Sequence, residues 1–259
     1  ESRFEHTTVF ARVTPEHKMR IITRYQSKGR VIAMTGDGVN DAPSLVAADL
    51  GIAMGKIGTE VAKEASDLVL LDDNFDDILN AVEEGRNMRQ GLRRAITYLL
   101  SSNLGEILLI TFALLGRHVL PLVAAQIIWM NVVTDTFFDI SLSLEPKDRS
   151  VMDKTFKTPK KLFDRTIGER LLVIAPVIAI GSFLLFRAEA SDPTRARTFA
   201  LTSLIVFQWF NALNCRSDKK SIFRMNPFSN KFLLATILGV AGLHIFAVYN
   251  PFMNKVLQI

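Results

Sequence analysis

Ala33-Met34-Thr35-Gly36-Asp37-Gly38-Val39-Asn40-Asp41-Ala42-Pro43 is the stretch whose reading decides the fold. Upstream, Arg30-Val31-Ile32-Ala33-Met34 is a short apolar run of the kind that forms a buried parallel strand. Two glycines then flank an aspartate, and a helical pattern opens near Asp41 with Pro43 in its first turn, where a missing N–H costs little. Ligands of open α/β sheets sit outside the carboxyl ends of the strands, so Asp37 is expected to project into a crevice. Asp41, four residues on, is placed to turn back toward the same point. Two carboxylates beside the backbone of Gly36 and Gly38 make a site for a hard cation such as Mg²⁺ that also touches phosphate. A plain Gly-Asp-Gly turn capped by Asp41 would use the same residues without any chemistry.

Working outward, strands and helices alternate. Residues 7–11 read as a strand, 15–27 as a helix stopped near Gly29, 43–48 as a short helix, 50–54 as a strand, 59–65 as a helix and 68–71 as a strand. That spacing indicates a parallel sheet of Rossmann type. From Asp76 a helical pattern without proline runs to Leu115, with Asp76 and Asp77 at its dipole-favoured start. Glu83, Glu84, Arg86, Arg89, Arg93 and Arg94 keep its first turns wet, and from Ala95 it is apolar. Forty residues at 1.5 Å each give roughly 60 Å of helix, twice the hydrocarbon core of a bilayer. Such a rod can carry motion from the sheet into a membrane, with Gly85 and Gly91 as its points of flexure.

The composition, 49% hydrophobic with a net charge of +5, is unevenly spread. The first eighty or so residues read as soluble, whereas five apolar runs at about 96–115, 120–144, 171–186, 198–213 and 232–249 read as membrane spans. The third is short and carries Pro176. The basic residues cluster between the runs, which argues for membrane topology and against a nucleic-acid partner. Lys147, Arg149, Lys154, Lys157, Lys160, Lys161, Arg165 and Arg170 form one linker, and Arg216, Lys219, Lys220, Arg224 and Lys231 another. By the positive-inside rule the α/β part is cytoplasmic and the C-terminus lies across the bilayer. The single cysteine, Cys215, excludes an internal disulfide framework. The opening Glu1-Ser2-Arg3-Phe4-Glu5-His6 has neither Met nor an apolar core, so the chain is expected to start within a longer protein.

Polar residues inside spans mark function. The first span holds Ser102, Asn103 and Glu106; the second holds Asn131, Thr134, Asp135 and Asp139, whose spacings place all four on one α-helical stripe. These are hard oxygen ligands, suited to Ca²⁺ or, less tightly, Na⁺. Interhelical hydrogen bonding would account for the amides and the threonine, but not for Glu106 and Asp135, which need a cation or a proton.

With these motifs in hand, the chain resembles the P-type ATPases, cation pumps that pass through an aspartyl-phosphate, and within them the type II calcium pumps. The opening stretch resembles the family's hinge segment. Ser101-Ser102-Asn103-Leu104-Gly105-Glu106 and Trp129-Met130-Asn131-Val132-Val133-Thr134-Asp135 resemble its ion-binding spans, and Phe10-Ala11-Arg12-Val13-Thr14-Pro15-Glu16-His17-Lys18 a segment whose lysine contacts the phosphorylated aspartate. The resemblance implies a partial haloacid-dehalogenase-like phosphorylation domain over 1–80, a stalk helix over 81–95 and an all-α transmembrane domain over 96–259. It assigns Lys18 to the phosphate, Asp37 to Mg²⁺, Asn40 and Asp41 to orienting both, and Asn103, Glu106, Asn131, Thr134 and Asp135 to the transported cation. The implied cofactors are Mg²⁺ and ATP, and the implied partners are the lipid bilayer and a missing N-terminal part with an actuator domain, a nucleotide-binding domain and earlier spans.

Two departures stand out. Gln208 occupies a position where two-calcium pumps carry a glutamate, which points to about one ion per cycle. Asp139 is acidic where a small or apolar residue is expected: a proton carrier, a further cation ligand or a group at the membrane edge. The phosphorylatable Asp-Lys-Thr-Gly motif is absent from the sequence, so this chain alone is expected to be inactive. Alternatives are an Na⁺/K⁺ or H⁺ pump, a non-enzymatic module of a split pump, and a membrane-tethered phosphatase.

Overall fold

The computed structural model describes residues 7–147, 149–153, 162–217 and 222–259. The first six residues, Lys154, Lys157, Lys160, Lys161, Lys219, Lys220 and the Arg149 side chain, all counted in the sequence reading, lie outside the described residues. The chain packs as two units, Glu1–Val82 and Glu83–Ile259.

In the first unit, α1 (Pro15–Ser27) opens on Thr14, whose hydroxyl accepts the His17 N–H at 3.4 Å, and ends where Gly29 takes φ +71°. The strands β1 (Ala33–Gly36), β2 (Leu50–Met54) and β3 (Leu68–Leu70) form a parallel sheet in that order, with Ala33 opposite Leu50 and Ile52 opposite Leu68. Between them lie α2 (Ala42–Ala47) and α3 (Glu60–Glu64). Residues of β2 alternate between faces as the pleat requires. Ala53 packs with Leu45 and Ala62 on one side; Ile52 and Met54 pack with Leu70 on the other.

Two expectations fail in this unit. Residues 7–11 form no strand, because their β-branched pattern finds no ladder to join among the described residues. The apolar run before Gly36 is not a buried strand: β1 begins only at Ala33, and Val31 is 85% exposed. β1 is the edge of the sheet, paired to β2 alone among the described strands.

The long helix α4 (Asp76–Leu115) runs unbroken for 40 residues. Gly91 is a close approach rather than a bend: a Cβ there would lie 3.1 Å from the Ser143 carbonyl oxygen. The second expected span divides into α5 (Ala124–Trp129), a π-helical segment Met130–Asp135 and α6 (Thr136–Ser143). Then come α7 (Arg165–Ala188), α8 (Pro193–Cys215), α9 (Lys231–Tyr249) and the short α10 (Pro251–Leu257). The third run is not short: α7 has 24 residues, because a cap at Asp164 starts it in polar sequence that an apolar count leaves out. Among the described residues three helices, α4, α7 and α9, are long and apolar enough to cross a membrane, against five expected runs. Small residues let them pack: a Cβ on Gly105 would lie 2.9 Å from Ile178, and one on Gly181 would lie 2.4 Å from Phe207.

Arg93, expected to be wet, and Arg216, counted in a basic linker, are both buried. Arg93 pairs with Asp164 at 3.0 Å and donates to the Leu162 carbonyl at 2.9 Å. Arg216, 2% exposed, donates twice to Glu145 Oε1, at 3.0 Å and 2.7 Å. It also reaches the Asn226 carbonyl at 3.2 Å and the Ser229 hydroxyl. Asn230 completes this knot: it donates to Glu145 at 2.7 Å and to the Ser141 carbonyl at 3.0 Å, and its own oxygen caps α9. Their charges gave no hint of this, since only the tertiary partner decides whether a guanidinium is wet or paired.

Arg216→Met is therefore expected to destabilise the chain by about 3–5 kcal/mol by stranding a buried carboxylate, while Arg216→Met with Glu145→Met recovers most of the loss. Chemical unfolding in detergent micelles checks both; equal losses in the single and double variants would contradict it.

Candidate functional site

In the first unit the residues singled out gather at the carboxyl end of β1. Gly36 closes the strand, and a Cβ on it would lie 2.6 Å from the Asp41 Cβ, so glycine is what lets Asp41 fold back over the turn. Lys18, brought in on α1, pairs with Asp41 Oδ1, and the Asp37 N–H donates to Asp41 Oδ2 at 3.4 Å. Burial opposes the Asp41 carboxylate, but the Lys18 hydrogen bond and charge outweigh it and hold its pKa below the ordinary value. Asp41 thus orients the turn, while the Asp37 side chain and Asn40 remain exposed beside it.

The next loop is anchored to the same place. The Thr59 N–H donates to the Asp37 carbonyl at 2.8 Å. Asp73 accepts the N–H groups of Gly55, Lys56 and Ile57 at 2.6, 3.0 and 3.1 Å. Those donors overcome its desolvation and keep its pKa low. The sequence reading passed over Asp73; the turn-forming run Asp72-Asp73-Asn74 was the available signal. Mg²⁺ keeps much of its water and takes one or two carboxylates together with phosphate oxygens. An exposed Asp37, next to an Asp41 already satisfied by Lys18, fits one such ligand.

The second cluster lies within the helical unit. Glu106 of α4, 6% exposed, accepts a hydrogen bond from Gln208 Nε2 of α8 at 3.1 Å. Asp135, 3% exposed, accepts the Tyr98 hydroxyl of α4 at 2.9 Å and lies within electrostatic reach of Glu106. Asn211 donates to the hydroxyls of Ser101 and Ser102 at 2.8 and 3.1 Å, which locks α8 against α4. Thr134 Oγ1, Asp135 Oδ2, Asp139 Oδ1 and Gln208 Oε1 are buried without a hydrogen-bond partner among the described residues. All four are oxygens.

The residues of the expected stripe differ in burial. Thr134 and Asp135 are buried and Asp139 half-buried, but Asn131 is exposed. A π-helical segment, Met130–Asp135, runs through Asn131, Thr134 and Asp135, and its wider i→i+5 turn departs from α-helical spacing. Asn103 is half-buried. No group of three or more His, Cys, Asp or Glu gathers among the described residues. The cluster holds the carboxylates of Glu106 and Asp135 with Thr134, Gln208 and a third, half-buried carboxylate, Asp139. Tyr98 and Asn211 were missed by the sequence reading because a tyrosine and an asparagine inside apolar helices are ordinary packing residues until their partners are known.

A family profile described as "Cation transporting ATPase, C-terminus" matches residues 119–259. Among curated proteins, the chain is 42% identical over 252 residues to a "Calcium-transporting ATPase" of Bacillus subtilis, covering 95% of this chain and 28% of that protein. It is 40% identical to "Calcium-transporting ATPase 1" of Saccharomyces cerevisiae, covering 98% and 27%. It is 38% identical to "Calcium-transporting ATPase type 2C member 2" of Rattus norvegicus, covering 99% and 28%. The chain spans under a third of the length of these relatives.

The Lys18–Asp41 pair sets a pH dependence. Because the folded pKa of Asp41 lies below the ordinary carboxylate value, its contribution is complete at neutral pH and is lost as pH falls through that lowered pKa. In Lys18→Met burial is left as the largest influence, so the Asp41 pKa is expected to rise and the loss to begin at higher pH. Carboxyl-carbon NMR titration of Asp41 in the two proteins checks the direction; an unmoved midpoint would contradict it.

Proposed function

The chain belongs to the cation-transporting ATPase family, and on that premise we propose that it is the C-terminal part of an ATP-driven pump whose cargo is Ca²⁺. The observation that carries this reading is the buried pair Glu106 and Asp135, set among oxygens with no partner. Buried carboxylates require compensation by a cation or a proton, and an all-oxygen set with two negative charges favours a hard divalent ion. The names of the relatives agree with Ca²⁺ over Na⁺, K⁺ or H⁺.

In this reading Glu106, Asp135 and Thr134 supply cargo oxygens, with Asn103 and Asn131 joining from the flanks. Tyr98 fixes one Asp135 oxygen and leaves the other for the ion. The neutral Gln208 holds Glu106 without adding charge, consistent with about one ion per cycle. Residues 1–80 serve as part of a haloacid-dehalogenase-like phosphorylation domain on the cytoplasmic side, 81–95 as the stalk and 96–259 as the transport domain in the bilayer. Lys18 and Asp41 position the turn, and Asp37 offers its carboxylate toward phosphate and Mg²⁺. Mg²⁺, when bound, would supply charge neutralisation at the phosphoryl group. ATP binding and the phosphorylated aspartate belong to an N-terminal part of the pump. The helix α4 is the covalent link through which phosphorylation state reaches Glu106.

In the full-length protein, Asp135→Asn is expected to abolish Ca²⁺-dependent phosphorylation from ATP while leaving phosphorylation by inorganic phosphate intact. Asp37→Asn is expected to impair both. Residues 1–259 alone are expected to hydrolyse no ATP. Ca²⁺-dependent phosphoenzyme that survives Asp135→Asn would refute the cargo assignment.

A further inference from the structure

Asp139 is unexplained by the site as described. It lies in α6 one helical turn beyond Asp135, toward the Ser143 end, where Gly91 approaches and the Glu145–Arg216–Asn230 knot follows. The residue is half-buried, yet its Oδ1 is sealed from solvent with no hydrogen-bond partner among the described residues. One turn away, Asp135 is 3% exposed, with Oδ1 taken by Tyr98 and Oδ2 also left without a partner. Asp135 meets the Tyr98 hydroxyl of α4, and the i, i+4 spacing places Asp139 on the same side of α6.

A buried carboxylate oxygen left without a donor costs free energy, and two of them one turn apart cost more. Side chains at i and i+4 have Cβ atoms about 5–6 Å apart. A Ca²⁺ held at about 2.3–2.6 Å from an oxygen of each carboxylate bridges about 5 Å. A buried lysine or arginine would relieve the charge equally well, but no ion pair to either residue forms among the described residues.

Resting on the cargo reading above, we propose that Asp135 Oδ2 and Asp139 Oδ1 form a second, staging position for the transported divalent cation, one helical turn from the Glu106–Asp135 site on the side of the Ser143 end. Asp135 is shared between the two positions. The ion steps from the Asp139 carboxylate to Glu106 without leaving a negative field, and Tyr98 keeps Asp135 oriented for both. The staging position speeds capture, whereas Glu106 and Asp135 set retention.

The test uses the full-length protein in lipid nanodiscs, with Ca²⁺ as the probe. Affinity is measured against a fluorescent chelator and association by stopped flow. Asp139→Asn is expected to lower the association rate and the affinity by about tenfold each, with the dissociation rate little changed. Asp139→Glu should restore much of the rate, and Glu169→Gln, the same charge change at an exposed position, should leave both unaltered. Asp139→Ser substitutes if the Asn variant does not fold. An Asp139→Asn protein with wild-type affinity and association, in which Asp135→Asn still abolishes binding, overturns the staging position and leaves the cargo site standing. An equal loss in Glu169→Gln also overturns it, as would a change confined to thermal stability. Binding absent from the wild-type chain, or untouched by Asp135→Asn, overturns the cargo site and the staging position together.

Discussion

A carboxylate inside an apolar helical bundle has to be met by a cation, a proton or a donor, and most of the polar architecture of the second unit follows from that constraint. Tyr98 meets one oxygen of Asp135, and Gln208 meets one oxygen of Glu106. Asn211, placed by α8, ties down Ser101 and Ser102 and fixes the helix that carries Glu106. None of these contacts neutralises a charge. They hold the two carboxylates in place and leave their charge to be met by something else.

The same constraint acts differently at the end of the bundle. Glu145 is matched by a permanent partner, Arg216, and by Asn230, so its charge is settled within the fold. One carboxylate is locked and two are kept waiting, and the difference lies in whether a guanidinium can reach them. Arg93 with Asp164 repeats the locked arrangement where α7 begins. In the first unit, Lys18 locks Asp41 and leaves the neighbouring Asp37 side chain exposed. The first unit thus sets a paired acid beside an exposed one.

Local rules made much of this legible. The end of α1 followed from Gly29 and the bounds of α4 from the uninterrupted pattern after Asp76. The turn through Gly36 and Asp41 was readable because a strand, two glycines and an early proline each limit the backbone. Tertiary choices were not legible. Arg93 and Arg216 look like any solvated arginine until Asp164 and Glu145 arrive from about seventy residues away. The π turn through Asn131, Thr134 and Asp135 has no clear mark in sequence, so the geometry of that segment was not legible. Residues 7–11 had the composition of a strand and no ladder to join.

The knot around Arg216 also bears on how such chains can drift over time. Arg216 is fixed to Glu145 on one side and to the Asn226 carbonyl and Ser229 hydroxyl on the other, and Asn230 caps the next helix. Both ends of the connection between α8 and α9 are thus held independently of what joins them. Doubling the length of a flexible connection costs only about 0.6 kcal/mol in closure entropy. An insertion between Arg216 and Asn226 leaves both anchors in place, whereas a single exchange at Arg216 removes one of them.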